Sequence, residues 1–243
     1  MQKVTIVIPT YNEKKNINNL LNRIAELNAS IRKNYHLEII FVDDSSPDGT
    51  VDEINRLKNK QNYSVHIVQR EGKLGLGTAY IRGFKEALEN DSDIIIEMDA
   101  DLSHDPLAIS RILEKIEQEN IDFVIGSRYT KGGKLPKWSP SRKAISWSGN
   151  LYARLILGFQ IHDWTGGFNA YKKEVLQKID LDNIKSNGYA FQIEMKYKAK
   201  KAGFRPGEVP IEFHDRVEGK SKFSKKIFFE AIVNTLKLKF KIM

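Results

Sequence analysis

The chain has 243 residues, 41% of them hydrophobic, so one α/β domain with a sizeable core is the default organisation. The formal net charge of +8 suits an anionic partner such as a nucleic acid, a phosphorylated ligand or an acidic membrane surface, and it does not choose among them. Cysteine is absent, which excludes disulfides and thiolate metal sites and is compatible with a reducing cytosol.

The first half of the chain alternates between short apolar runs and segments with helical periodicity. The opening run ends at Pro9 and has neither the length nor the cleavage site of a signal peptide. Strands are predicted at residues 4–8, 37–42, 65–69, 94–98 and 123–126. Helices are predicted at residues 13–27, 50–57, 77–88 and 106–119, the second with an Asp or Thr cap. This alternation predicts a mainly parallel sheet with helices on both faces, which binds ligands beyond the carboxyl ends of its strands.

The second half of the chain is less regular. The composition predicts a flexible loop at residues 129–141, helices at 144–157 and 192–202, a polar turn-rich segment at 163–169 and an edge strand at 209–213. Residues 223–243 mix apolar residues with lysines, as in a basic amphipathic segment on an anionic membrane, and packing on the core is the alternative. No stretch reaches the roughly 18 apolar residues of a spanning helix, so any membrane contact is expected to be peripheral.

Acidic residues follow two of the predicted strands. Asp99 and Asp101 come after the fourth strand and are separated by one small residue, so both carboxylates can converge on Mg²⁺ or Mn²⁺. For an isolated Asp-x-Asp, a solvated loop that caps a helix is an equally good interpretation. A second acidic pair, Asp43 and Asp44, ends another strand and favours a site. A cation held by few carboxylates keeps positions open for phosphate oxygens and can neutralise a departing diphosphate.

The glycine-containing segment 72–77 does not have the spacing of a P-loop or of a dinucleotide fingerprint. Its glycines more simply allow a tight passage from strand to helix, and Lys73 is a candidate phosphate contact. The segment therefore argues against a Walker-type phosphotransferase.

Six strings in the chain carry a resemblance to a known family. IPTYNE (8–13), VDDSSPDGT (42–50) and MDADLSH (98–104) resemble the family 2 glycosyltransferases of the GT-A fold. Together with GSRY (126–129), DWTGGF (163–168) and DRVEGKSK (215–222), they resemble the polyprenol-phosphate (dolichol-phosphate) mannosyltransferases. The match runs from residue 4 to about 222, whereas IPTYNE alone would mark only the broad family. It implies one GT-A catalytic domain over residues 1–222, followed by the amphipathic segment 223–243.

The resemblance implies a donor site with a nucleoside part, a metal part and a cationic part. The matching nucleoside positions are Pro9, Tyr11, Glu13, Val42 and Asp44. Asp99 and Asp101 match the metal motif, with Ala100 against the nucleotide. Ser103 stands at the position of a third metal ligand, where some relatives have glutamine. Arg216 and Lys222 match cations on the donor diphosphate, and a basic surface is their alternative.

A separate acceptor site is also implied. Arg128, Arg142 and Ser146 match positions around the acceptor phosphate, and arginine's planar fork suits phosphate oxygens. From the sequence alone, Arg142 and Ser146 are four residues apart and share one face of a helix near its beginning. Asp163 is a candidate for orienting groups at the reaction centre, with a turn or cap as the alternative. The predicted catalytic residues are therefore Asp101, Arg128 and Asp163.

The reaction implied by the resemblance is inverting transfer of mannose from GDP-mannose to a polyprenyl (dolichyl) phosphate, giving polyprenyl phosphomannose and GDP. The acceptor phosphate is largely ionised near neutral pH, since its second pKa is about 6, so no strong general base is needed. Relatives of this short form often depend on a separate membrane subunit or on interfacial helices. A cytoplasmic protein, peripheral at the membrane face, is expected.

Two alternatives remain open from the sequence. A transferase of the same family could use UDP-glucose or a related donor, because few residues contact the base. A nucleic-acid-binding module is the alternative from a different class, suggested by the pI of about 9.4. Acidic groups at successive strand ends and the lack of a zinc-finger or RNP signature argue against it, so no nucleic-acid partner is expected.

Overall fold

The computed structural model describes residues 1–118, 120–136, 138–215 and 225–240. In these residues seven strands form one sheet, in the order β3-β2-β1-β4-β6-β5-β7. The strands are β1 Gln2–Thr10, β2 Tyr35–Asp43, β3 Ser64–Gln69, β4 Ile94–Glu97, β5 Phe123–Ser127, β6 Asn169–Lys172 and β7 Pro206–Pro210. The predicted α/β architecture is thereby confirmed.

The sheet is parallel apart from one strand. The chain runs from β1 outward to β2 and β3 and then returns to β4, which pairs parallel with the other side of β1. β6 lies antiparallel between β4 and β5, and β7 pairs parallel with β5 at the edge. The strand order thus reverses between β1 and β4, and in open α/β sheets the ligand crevice lies beyond the carboxyl ends at such a switch point.

Helices cover both faces of the sheet. They are α1 Lys14–Ile31, α2 Thr50–Lys58, α3 Leu76–Glu89, α4 Ala108–Gln118, α5 Pro140–Leu157, α6 Lys173–Lys178, α7 Gly188–Lys201 and α8 Lys225–Phe240. Along β1, Ile6 and Ile8 pack in a cluster with α1, α2 and α4, whereas Val7 packs in a cluster with α3, α5, α6 and α7. This alternation is the period of two that a strand buried on both faces requires.

Helix α3 lies unusually close to the sheet at Gly83. A Cβ atom there would stand 2.2 Å from Cγ1 of Val7 and 3.0 Å from Cγ2 of Val42. We expect Gly83→Ala to lower the free energy of unfolding by up to about 2 kcal/mol, because overpacking costs about 1–3 kcal/mol and the gain in helix propensity offsets about 1 kcal/mol of that cost. Urea denaturation measures the change. Gly72→Ala is the control, since no atom lies within 4 Å of a Cβ there; an equal loss in both variants would contradict the prediction.

Several predicted boundaries are wrong. The last strand lies at Pro206–Pro210, not at 209–213, although it is an edge strand as predicted. α5 begins four residues before the predicted 144, and α7 begins four residues before the predicted 192. The second helix is capped by Gly49, which has a φ of 83°, and not by an Asp or Thr. The turn-rich segment 163–169 leads directly into β6, which was not predicted because its partners are distant in sequence.

Helix α8 packs on the body of the protein. Its Leu238 is buried, its Ile232 carbonyl accepts a hydrogen bond from the Tyr152 hydroxyl of α5, and its Asn234 lies beside Ser186. Over the described ranges, which omit 216–224 and 241–243, no helix combines the length and apolarity needed to cross a bilayer. The boundary predicted at residue 222 lies outside the described residues, so the division of the chain at that point stays a prediction.

Candidate active site

Two adjoining cavities open at the carboxyl edge of the sheet. The first, about 360 Å³, is lined by Asp44, Asp99 and Asp101 among others, and we call it the carboxylate cavity. The second, about 410 Å³, lies among α5, α7 and α8, is lined by Ile145, Ile193 and Ile232 among others, and we call it the apolar cavity. Both cavities share the lining residues Arg128, Trp138, Arg142, Thr165 and Tyr189. The carboxylate cavity and the apolar cavity therefore meet at Arg128 and Arg142.

The structure brings most of the predicted donor residues together. Those that line the carboxylate cavity are Pro9, Tyr11, Glu13, Asp44, Asp99, Ala100 and Asp101. Val42 is fully buried in the core cluster with α3 and is not among the lining residues. Arg216 and Lys222 lie outside the described residues. The predicted roles of these three residues stay predictions.

The Asp99–Asp101 pair is held by fixed donors. The Tyr80 hydroxyl donates to Oδ1 of Asp99 at 2.9 Å, and burial raises the pKa of Tyr80, so the phenol stays protonated. The backbone N–H of Ser103 donates to Oδ1 of Asp101 at 3.1 Å. Between them Leu102 has a φ of 62°, a conformation that costs a non-glycine residue about 1–3 kcal/mol and that concentrates at functional sites.

These residues fit a divalent cation that is shared with a substrate. The two carboxylates line the cavity, and the hydroxyl oxygen of Ser103 is buried without a hydrogen-bond partner. In the described part of the chain, no three His, Asp or Glu side chains are grouped as a metal site of their own. A two-carboxylate site is what Mg²⁺ uses when phosphate oxygens and water complete its octahedron.

The part of the carboxylate cavity near Tyr11 and Asp44 contains two contacts that the sequence did not reveal. Arg70 pairs with the carboxylate of Asp44 at 2.5 Å and also donates to the Thr78 hydroxyl at 2.8 Å. Lys73, the candidate phosphate contact, lies over the Tyr11 ring, 4.4 Å from its centroid, and lines the cavity. Arg70 thus fixes the carboxylate of Asp44 and ties it to the beginning of α3.

Arg128 and Asp163 form a buried bidentate pair. Nε and Nη2 of Arg128 each donate to a carboxylate oxygen of Asp163 at 2.7 Å, and Nη2 also donates to the Thr165 hydroxyl at 2.9 Å. Burial alone would raise the pKa of Asp163, but the Arg128 guanidinium outweighs it and lowers that pKa to about 2. Asp163 is fully buried and lines neither cavity, and it also accepts from the Gly166 N–H. It therefore fixes the Arg128 guanidinium and closes the 163–166 turn, and its role at a reaction centre stays a prediction.

The predicted acceptor residues surround the entrance of the apolar cavity. Arg142 is half exposed, and its guanidinium stacks 4.0 Å from the Trp138 ring centroid. Ser146 lies one turn further along α5, and its hydroxyl accepts a hydrogen bond from the Tyr129 hydroxyl at 2.7 Å. Arg128, Arg142 and Ser146 all line this cavity, and their contact with an acceptor phosphate stays a prediction.

His104 is a further lining residue that the sequence did not single out. Its ring stacks on Phe168 and meets Phe213 edge-on. The backbone N–H of Asp99 donates to Nδ1 at 3.3 Å, which places the ring proton on Nε2. Burial lowers the pKa of His104, so the ring is neutral at neutral pH and acts as a rigid support for Asp99.

Solved structures share this architecture. The glucosyl-3-phosphoglycerate synthase of Mycobacterium tuberculosis, in complex with Mn²⁺, UDP and phosphoglyceric acid, has a TM-score of 0.65 at 16% identity, over 98% of this chain and 78% of that one. The mannosyltransferase PcManGT of Pyrobaculum calidifontis, in complex with GDP-Man and Mn²⁺, has a TM-score of 0.61 at 16% identity, over 98% and 73%. At such identity the likeness concerns the fold alone, and it confirms the GT-A fold.

Sequence relatives are closer. Residues 5–180 match the family model described as glycosyl transferase family 2. The chain is 44% identical over 232 residues to the undecaprenyl-phosphate mannosyltransferase of Micrococcus luteus, covering 96% of this chain and 92% of the other. It is 40% identical over 231 residues to the polyprenol monophosphomannose synthase of Mycolicibacterium smegmatis, covering 95% and 84%. The resemblance drawn from the motifs is confirmed, and the chain belongs to glycosyltransferase family 2, among the polyprenol-phosphate mannosyltransferases.

Proposed function

We propose that this protein transfers mannose from GDP-mannose to a polyprenyl monophosphate, with inversion at the anomeric carbon, releasing polyprenyl phosphomannose and GDP. The supporting observation is the junction of a carboxylate cavity with an apolar cavity at Arg128 and Arg142. A nucleotide sugar and its metal need the first environment, and an isoprenoid chain needs the second. Family membership also favours an enzyme over a nucleic-acid-binding module.

The mannose donor is supported by the names of the two sequence relatives. Among the structural neighbours, PcManGT was solved with GDP-Man and Mn²⁺, while the glucosyl-3-phosphoglycerate synthase was solved with UDP and Mn²⁺. Asp44 and Tyr11 supply a carboxylate acceptor and a stacking face to the base, and either nucleotide has donors for them. UDP-glucose therefore remains the second candidate donor.

In this proposal the chain's own residues hold two anions together. Arg128, fixed by Asp163 and Thr165, presents its guanidinium where both cavities meet. Arg142 supplies a second cation from the rim, so repulsion between acceptor phosphate and donor diphosphate is relieved. The acceptor phosphate is already ionised, so alignment rather than proton removal is the main requirement.

Asp99 and Asp101 would hold Mg²⁺ or Mn²⁺, and Ser103 is the candidate for a third protein ligand. When bound, the cation supplies Lewis-acid stabilisation of negative charge on the departing diphosphate. Tyr80 and the Ser103 N–H keep the two carboxylates in place before any cation binds.

Peripheral membrane contact is part of the proposal, because a polyprenyl phosphate resides in a bilayer. Helices α5 and α8, which line the apolar cavity, also expose large apolar side chains at Ile145, Trp147, Leu155, Leu236 and Phe240. Lys237 and Lys239 are exposed on α8, and lysines beside apolar residues suit an anionic membrane surface. Retention by a separate membrane subunit remains the other route implied by the resemblance.

The direct test is a transfer assay. The purified protein is incubated with GDP-mannose or UDP-glucose, Mg²⁺ or Mn²⁺, and a short polyprenyl phosphate, and the glycolipid is identified by mass. A mannolipid formed only from GDP-mannose supports the proposal. Selective use of UDP-glucose, or selective protection by UDP, would replace it with the second candidate.

Arg142→Ala is expected to raise the KM for polyprenyl phosphate by about 10-fold or more, because a hydrogen bond to a charged group contributes about 1.5–3 kcal/mol. GDP affinity should change less than about twofold, since Arg142 is not among the predicted donor contacts, although it lies where the two cavities meet. Stability should hold, because Arg142 is half exposed. Steady-state kinetics and calorimetry measure both effects. Lys143→Ala removes the same charge from the next, exposed residue and serves as control; lost GDP binding with unaltered acceptor use would contradict the division of sites.

A further inference from the structure

Lys196 of α7 is fully buried, and all hydrogen bonds of its ammonium go to the backbone of residues 163–166. Its ammonium donates to the carbonyl oxygens of Asp163 at 3.0 Å, Trp164 at 3.1 Å and Gly166 at 2.7 Å. A lysine ammonium has three N–H donors, so none is left over. The three carbonyls belong to consecutive or nearly consecutive residues, so one side chain fixes the course of the backbone from 163 to 166.

A buried lysine needs a compensating role, because removing an ammonium from water is costly. Burial lowers the pKa of Lys196, and the negative charges of Asp163 and Glu97 oppose that effect. Glu97 in turn accepts hydrogen bonds from Gln192 and Tyr171. Burial raises the pKa of Glu97 to about 7, so the charge that balances the ammonium comes chiefly from Asp163, while the ammonium itself donates only to carbonyl oxygens.

The segment held by Lys196 carries the partners of Arg128. Asp163 accepts both bonds of the bidentate pair, and the Thr165 hydroxyl accepts a third bond from Arg128. Other elements hold the same segment through its N–H groups: Asn150 of α5 accepts from Trp164 at 2.9 Å. The segment is thus held through its N–H groups by Asn150 and through its carbonyl groups by Lys196.

We propose that Lys196 is a positioning residue, which holds the backbone at 163–166 so that Asp163 and Thr165 keep the Arg128 guanidinium at the junction of the two cavities. The inference rests on the proposed function for its kinetic consequence, because Arg128 is there assigned to the acceptor phosphate. The structural part of the proposal, that Lys196 keeps the Arg128 guanidinium in place, can be tested without any substrate.

The test compares Lys196→Met with Lys200→Met. Lys200 lies one turn further along α7, and its ammonium donates to the carbonyl of Leu157, away from Arg128. In the transfer assay, Lys196→Met is expected to raise the KM for polyprenyl phosphate at least about 10-fold, while the Kd for GDP in Mn²⁺ changes less than twofold. Lys200→Met should alter neither value. A change in kcat alone with both affinities retained would indicate a smaller active fraction and would overturn the proposal.

A second readout needs no activity. Nε–H of Arg128 is buried against Asp163, so its NMR resonance should exchange slowly with water, and an Arg128→Lys variant assigns it. Lys196→Met is expected to speed that exchange at least 10-fold, and an unchanged rate would sink the inference even if the wild-type protein transfers no sugar. If wild type lacks transfer but Lys196→Met still loosens Arg128, the proposed function fails and the positioning role stands. Should Lys196→Met not fold, Lys196→Gln is measured in the same way.

Discussion

Asp101→Asn is expected to reduce mannosyl transfer on the order of 10³-fold, while the protein remains folded. The substitution removes a negative charge from the pair that would hold the cation, and metal stabilisation of a leaving group amounts to several kcal/mol of transition-state free energy. The amide oxygen of Asn can still accept from the Ser103 N–H, so the loop keeps its cap. Asp101→Ala should lose transfer almost completely. Rates at saturating Mn²⁺, with thermal unfolding measured in parallel, give the result.

Asp105→Asn is the matched control for this change. Asp105 lies four residues further along the same loop, where it accepts from the Leu107 N–H and pairs with Arg23, and it lines neither cavity. Its loss of charge should leave the transfer rate within about twofold and the dependence on Mn²⁺ unaltered. Full activity in Asp101→Asn would remove Asp101 from the metal site.

The gathering of polar residues at one edge of the sheet could be predicted from the sequence. Tyr11, Asp44, Asp99 and Arg128 each stand directly after, or within two residues of, a β-branched run, and parallel strands bring their carboxyl ends to the same edge. The local sequence pattern is sufficient here, because the end of a strand is determined by residues that are neighbours in sequence. The predicted fold class rests on the same regularity.

What could not be predicted depends on long-range contacts. β6 has four residues, and its pairing with β4 and β5 joins segments about 45 to 75 residues apart, so no local period marks it. α7 contains Lys196, Lys198, Lys200 and Lys201, and no sequence pattern marks Lys196 as the one that is fully buried. Arg70 likewise stands in a polar loop, and only folding places it beside Asp44. Whether a charged side chain is buried depends on contacts with residues that are distant in sequence.

Asp163 illustrates the difference between what a sequence motif predicts and what the structure shows. DWTGGF carried a resemblance, and from it Asp163 was expected to orient groups at the reaction centre. The structure places the carboxylate behind Arg128, where it binds the guanidinium and the Gly166 N–H. If the proposed function holds, Asp163 acts on the substrate only through Arg128, so its substitution should change both stability and acceptor use. The contribution of the Arg128–Asp163 ion pair to stability must therefore be measured separately from catalytic activity.

Arg128→Met is expected to lower the free energy of unfolding at pH 7.5 by about 3–5 kcal/mol, because it leaves the buried Asp163 carboxylate without its bidentate ion-pair partner. In the wild type the depressed pKa of Asp163 stabilises the fold above the unfolded value of 3.8, and this is lost as the pH falls towards 2. In the variant Arg128 no longer lowers the pKa of Asp163, so burial raises it. Protonation of Asp163 at lower pH then removes the buried negative charge and makes the folded variant more stable. The stability gap between wild type and variant should therefore narrow from pH 7.5 to pH 4.5.

Urea titrations at the two pH values measure that gap. The double variant Arg128→Met with Asp163→Asn has no titrating carboxylate in the pair, so it should be more stable than Arg128→Met at pH 7.5 and show no such narrowing. A gap of the same size at both pH values in Arg128→Met would mean that Arg128 does not neutralise Asp163. If the gap narrows as expected, Arg128 neutralises Asp163, and the guanidinium is held at the junction of the cavities by a buried carboxylate that lines neither of them.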